Sequence, residues 1–221
     1  MIPHNHWLRS IWNLLMLFVI LLFLFDISYR QVFHLFSPDA WYWALVVFFI
    51  ADIVLNFFTT IKRGHIRIET PAEVRRFYVR TSFFIDVFAA LPIEAFLFWI
   101  WGPLGIQGPA VSSLYLLLLS ITLIKLLKAG RIFKYLQESL GIMPAARRLL
   151  LFAYWLVVAI HIIALGWIWI GAGETNRPFM DQYLRALYWA TTTIATIGYG
   201  DYTPDHNSNV QIIYTVIIQL F

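Results

Sequence analysis

The chain has 221 residues, 61% hydrophobic, 18% aromatic and 13% charged, with a formal net charge of +4 at pH 7. A soluble domain carries about 25% charged residues, so there is too little polar surface here to cover the Leu, Phe, Ile and Trp side chains, and the composition is that of an integral membrane protein. The absence of cysteine excludes disulfides, thiolate zinc sites, iron–sulfur clusters and thiol nucleophiles.

A bilayer hydrocarbon core of about 30 Å takes roughly 20 mainly apolar helical residues to cross. By that measure residues 8–29, 41–61, 81–101, 111–133 and 149–171 are predicted spans, and 210–221 is the start of a truncated sixth. The first is too long for a signal-peptide core and no small-residue cleavage site follows it, so it reads as a retained signal anchor. Arg9, Lys62, Arg63, Arg67, Arg75, Arg76, Arg80, Lys134, Arg147 and Arg148 fall on one side of the spans, and only Arg30, Arg177 and Arg185 on the other. Basic flanks stay inside, which predicts a cytoplasmic N-terminus and a place in the cell (inner) membrane.

Between the fifth and sixth spans, residues 171–178 are turn-rich, 183–193 read as a helix of about three turns, and 202–209 are polar. Eleven helical residues cannot cross a bilayer, so this segment dips in and returns. Irregular backbone at membrane depth is tolerated only where protein buries it or water fills a cavity, which implies a water-lined path. In Thr196-Ile197-Gly198-Tyr199-Gly200-Asp201, glycines at alternate positions allow backbone angles that a Cβ resists. Successive carbonyls can then point one way, and Ile197 and Tyr199 would face away into the protein.

The stretch resembles the Thr-Val-Gly-Tyr-Gly filter of potassium channels, whose carbonyl rings replace the water lost by a dehydrated ion. With Tyr183-Leu184-Arg185-Ala186-Leu187-Tyr188-Trp189-Ala190-Thr191-Thr192-Thr193 and Pro204, it resembles the pore of tetrameric potassium channels. Within that superfamily the chain is most similar to cyclic-nucleotide-gated and hyperpolarisation-activated channels, especially their bacterial members. His161 with Gly166-Trp167, the run Asp52-Ile53-Val54-Leu55-Asn56-Phe57, and Phe84-Ile85-Asp86-Val87 with Leu91-Pro92 resemble their fifth, second and third spans. Eukaryotic nucleotide-gated channels usually lack the Tyr-Gly pair and also pass sodium, so Tyr199 and Gly200 point to potassium preference. The resemblance implies a homotetramer in a lipid bilayer, with a filter of Thr196, Ile197, Gly198, Tyr199, Gly200 and Asp201 holding potassium ions. Tyr188, Trp189, Thr192 and Thr193 would support it from the pore helix, whose C-terminal dipole favours cations. It further implies a C-terminal domain, beyond this sequence, that binds cAMP or cGMP.

Lys125, Lys128, Arg131 and Lys134 recur every third residue in an apolar run, a winding stripe with about 4.5 Å of rise between charges. One charge moved through the field is worth about 2.3 kcal/mol per 100 mV, so these are candidate sensor charges, although Lys134, and to a lesser degree Arg131, also fits a cytoplasmic flank snorkelling to the interface. Intramembrane carboxylates are costly unless paired, which makes Asp52 and Asp86 the candidate counter-charges, with Phe57 as an apolar plug. Leu119 and Thr122, in the same register, are uncharged, so the voltage response is expected to be weak. Glu94 reads equally as a paired group near the outer end or as a solvated rim carboxylate.

The expected architecture is thus all-α: a four-helix voltage-sensor-like domain (1–135), a sensor-to-pore linker (136–148) whose Arg147 and Arg148 read equally as lying near head groups or as a plain basic flank, and a pore domain (149–221). The pore domain holds two helices and the re-entrant pore helix (183–193) and filter (196–201). No enzyme motif, metal-ligand cluster or nucleic-acid-binding feature is found. A depolarisation-activated potassium channel is the alternative gating mode. A secondary transporter with a re-entrant ion site lacks the expected second related half.

Overall fold

A computed structural model describes residues 7–35, 37–63, 66–68, 70–101, 125–140, 143–174 and 176–220. It divides into two compact units, Met1–Ile27 with Phe36–Arg148, and Ser28–Leu35 with Leu149–Phe221.

The first unit holds most of helix α1 (Trp7–Val32), α2 (Ala40–Phe57), a hairpin of β1 (Ile61–Arg63) and β2 (Ile66–Ile68), α3 (Pro71–Thr81), α4 (Phe83–Ala90), α5 (Ile93–Trp101) and α6 (Leu126–Leu140). Asp39 caps α2 by accepting the Tyr42 N–H at 2.9 Å, satisfying one of the orphan donors of a helix start. The predicted second span runs to residue 61, but α2 stops at Phe57. The β-branched Thr59, Thr60 and Ile61 favour an extended chain, and Ile61 pairs antiparallel with Ile68.

The predicted third span, 81–101, is not one helix. It breaks at Leu91–Pro92 into α4 and α5, bent by 42°. Pro92 has no N–H for the helix and forces the preceding residue out of the helical region; Leu91 has φ −63° and ψ 126°. Before it, α3 starts with Pro71 at its first turn, buries Val74 and Tyr78, and leaves Arg75, Arg76 and Arg80 exposed, an i, i+4 apolar stripe. Helix α4 packs against α2, α3 and α6. Of the predicted fourth span, 111–124 lie outside the described residues, Leu119 and Thr122 among them. Helix α6 continues to Leu140, into the segment expected to be linker.

Helix α7 (Pro144–Trp169), which belongs to the second unit from Leu149 on, begins five residues before the predicted span, because Pro144 suits a first helical turn, where its missing N–H costs nothing. Helix α8 (Phe179–Ile194) extends the predicted 183–193 at its start, where Asp181 lies in the first turn and complements the helix dipole. Helix α9 (Asn209–Gln219) is capped by Ser208. The unit's core is Trp167 stacked on Trp189, ring centres 3.7 Å apart, among Ala164, Ala186 and Ala190. Close packing of α9 on α7 needs Gly166: a Cβ there would lie 2.9 Å from Cζ of Tyr214.

Helices α1, α2 and α7 are each long and apolar enough to cross a membrane, and the bent α4–α5 pair passes as a fourth span.

Candidate functional site

Two groups of residues stand out, one in each unit. In the first, three carboxylates from α2, α4 and α5 face basic side chains from α6, from Lys125 just before it, and from α1. Lys128 Nζ lies 2.8 Å from Asp52 and 3.4 Å from Asp86, bridging α2 and α4. Arg131 Nη2 donates to Asp86 at 2.5 Å. Asp86 also accepts from the Tyr78 hydroxyl at 2.8 Å, and Asp52 accepts from Trp12 Nε1 at 2.7 Å and Asn56 Nδ2 at 3.0 Å. Asp52, Asp86 and Lys128 are all at most 2% exposed, so each charge depends on these partners for what water would otherwise supply.

Lys125 has a separate cage. Its Nζ lies 3.4 Å from Glu94 and 3.8 Å from the centre of the Phe23 ring, and the Tyr42 hydroxyl donates to Glu94 at 3.1 Å. The fully buried Phe49 ring stands between the cages, 5.6 Å from the Lys125 ammonium and 5.5 Å from that of Lys128. Phe57, the expected plug, instead meets Tyr78 and Phe83 edge-on. The reason is helical phase: Phe49 lies three residues before Asp52 and shares its face. Lys134 is exposed on α6.

Sequence reading did not place Arg9 or Asn56 in this group and left Glu94 open between pairing and the rim. Arg9 looked like a flank charge, yet it is 6% exposed, donates to Asn56 Oδ1 at 2.6 Å and lies 3.3 Å from Asp52. Glu94 is 1% exposed, not a solvated rim group. Asn56, four residues after Asp52, links Asp52 to Asp86 by donating to both, at 3.0 and 3.4 Å. An acid within an apolar run and a basic residue near a span's start were the available signals.

In the second unit the loop after α8 winds back on that helix. The Thr192 carbonyl accepts the N–H groups of Ile197 and Gly198 at 2.8 and 3.2 Å, and the Thr193 carbonyl that of Thr196 at 3.1 Å. Orphan carbonyls of the helix end are thereby satisfied. Positive φ occurs at Thr196 (56°), Gly198 (54°) and Gly200 (77°), and at neither Ile197 nor Tyr199. Left-handed and ordinary backbone thus alternate along the loop.

The Tyr188 ring lies parallel to Tyr199, centres 6.4 Å apart. Trp189 is buried against Trp167, and the Thr192 hydroxyl donates to the Trp189 carbonyl at 3.0 Å. Arg185 reaches past the loop to both Asp181 and the Tyr202 hydroxyl.

A family model described as "Ion transport protein" matches residues 10–221. The chain belongs to the ion transport protein family. Membership sets it among transport proteins and not among enzymes, and agrees with its apolar helices in making it an integral membrane protein of the voltage-gated-like channel superfamily. This ion transport chain is 28% identical over 208 residues to the potassium voltage-gated channel protein eag of Drosophila melanogaster, covering 78% of the chain and 17% of that protein. It is 27% identical over 211 residues to the voltage-gated delayed rectifier potassium channel KCNH5 of Homo sapiens, covering 79% and 20%. With the voltage-gated inwardly rectifying potassium channel KCNH7 of Mus musculus the identity is 24% over 205 residues, covering 79% and 16%. The chain thus spans a fifth or less of the length of these relatives.

Proposed function

We propose that the chain is the transmembrane part of a potassium-selective channel subunit that works as a homotetramer, four copies of the 196–201 loop forming one filter. The carrying observation is the alternation of positive φ at Thr196, Gly198 and Gly200 in a loop hydrogen-bonded to the end of a short helix. Each subunit then supplies a strip of carbonyls, and only a ring of strips can coordinate a bare cation from all sides. The names of the relatives, all voltage-gated potassium channels, support the same ion.

In this reading the first unit is a voltage-sensor-like domain. Lys125, Lys128 and Arg131 are its sensor charges, Asp52, Asp86 and Glu94 their counter-charges, and the N-terminus is cytoplasmic. Three such charges per subunit support a modest voltage response. The motif resemblance supports a cyclic nucleotide as the main opening signal; the relatives' names favour voltage instead.

Potassium and sodium flux into liposomes holding the full-length protein, with and without cAMP or cGMP and across a range of voltages, tests both parts. Equal passage of the two ions would overturn the potassium filter. Steep opening by depolarisation without nucleotide would replace the ligand-gated reading by the voltage-gated one.

A further inference from the structure

We propose that Arg9 is a stationary cation within the counter-charge centre, sharing Asp52 with the charges of α6 and tethering that helix, so that the sensor moves little charge. This deepens the voltage-sensor reading given above and rests on it.

Arg9 sits in the first turn of α1, not on the charged helix. A basic residue that merely sets membrane orientation keeps its charge in water or among head groups, whereas Arg9 is 6% exposed. Its Nη2 is 2.6 Å from Asn56 Oδ1 and 3.3 Å from Asp52 Oδ1. Its guanidinium carbon stands 5.9 Å from the centre of the Tyr135 ring, and Tyr135 belongs to α6. One side chain from α1 therefore holds the α2 carboxylate and the face of a ring on the helix proposed to move.

Two consequences follow. The carboxylates of Asp52 and Asp86 could match Lys128 and Arg131 one for one; with Arg9 present, three cations share two acids. The centre then attracts a further α6 cation less strongly. Sliding α6 by one three-residue step, about 4.5 Å, would bring Lys125 toward the present place of Lys128. The same slide pulls the Tyr135 ring away from Arg9 and loses the cation–π attraction. Arg9 thus opposes the step twice, by occupying the destination's negative charge and by holding the helix that must leave.

Gating currents and conductance–voltage curves of the full-length channel test this with Arg9→Met, which keeps the stem and removes the charge. The expected result is a steeper curve and more charge displaced per channel. Each further elementary charge crossing the field changes the open-to-closed ratio about 50-fold more per 100 mV. Arg9→Lys, which keeps a cation beside Asp52, should stay nearer the wild-type slope. Tyr135→Leu, which removes the ring from α6, should steepen the curve even if Arg9→Met fails to assemble. The double variant should be no steeper than Arg9→Met alone.

Wild-type slope and displaced charge in Arg9→Met, or in Tyr135→Leu where that variant alone assembles, would overturn the role given to Arg9. Equal potassium and sodium currents in the wild type would count against the proposed filter, a result separable from the charge moved.

Discussion

The Tyr183 hydroxyl lies 2.7 Å from Nδ1 of His161, and the other ring nitrogen of that histidine lies 2.6 Å from the Ser28 hydroxyl. Neutral imidazole donates from one nitrogen and accepts at the other, so His161, fully buried on α7, joins the end of α1 to the start of α8 by a chain of hydrogen bonds. Tyr183→Phe removes one partner and should cost about 1–3 kcal/mol. Tyr183→Phe with His161→Leu should cost less than the two single losses added together, because the pair shares a bond. Denaturant unfolding of the detergent-solubilised protein measures both; strict additivity would show that the chain carries no coupling.

Gly166→Ala places a methyl against the Tyr214 ring, whose hydroxyl donates to the Ile163 carbonyl at 2.8 Å. Overpacking of this kind costs about 1–3 kcal/mol, read as a fall in thermal midpoint. A second change, Tyr214→Leu, makes room for the methyl and should restore part of the loss. If Gly166→Ala alone is as stable as wild type, α9 does not approach α7 this closely.

Buried and exposed ion pairs should respond differently. Asp86→Asn leaves Lys128 and Arg131 short of a buried counter-charge and should cost about 3–5 kcal/mol. Asp181→Asn breaks pairs with Arg177 and Arg185 in which every side chain is at least 34% exposed, and should cost at most about 1 kcal/mol. Raising salt should shrink the second effect and leave the first nearly unchanged. Unfolding curves at low and high ionic strength give the comparison.

At Gly198 and Gly200, φ is 54° and 77°, a region that costs an L-residue roughly 1–2 kcal/mol. Neither glycine has a heavy atom close to where a Cβ would stand, so the penalty for alanine is conformational and not a clash. Gly198→Ala and Gly200→Ala should therefore fold while turning a carbonyl out of line, with the ratio of potassium to sodium flux falling by about tenfold or more per 1.4 kcal/mol of lost discrimination. Unchanged ion preference in both variants would remove the loop from the permeation path.

Much of this architecture was legible in order along the chain. Apolar runs long enough for a bilayer mark α1, α2 and α7 because the bilayer imposes a length on any helix that crosses it. The glycines at 198 and 200 announce their backbone angles because a missing Cβ is a local property. Pro92 carried the break between α4 and α5 just as locally, yet counting apolar residues passed over it, since a bent pair is as apolar as a straight helix. Partners were another matter. Arg9 read as a flank group, Glu94 was open between pairing and the rim, and Phe57 was expected where Phe49 lies, because a charged or aromatic residue's own sequence neighbours do not say which helices will surround it. Composition and spacing determined that the chain enters a membrane and where its backbone turns. Only packing of α1, α2, α4, α5 and α6 decided which charges are neutralised by which, since a buried ion persists only where a partner from another helix arrives within a few ångströms.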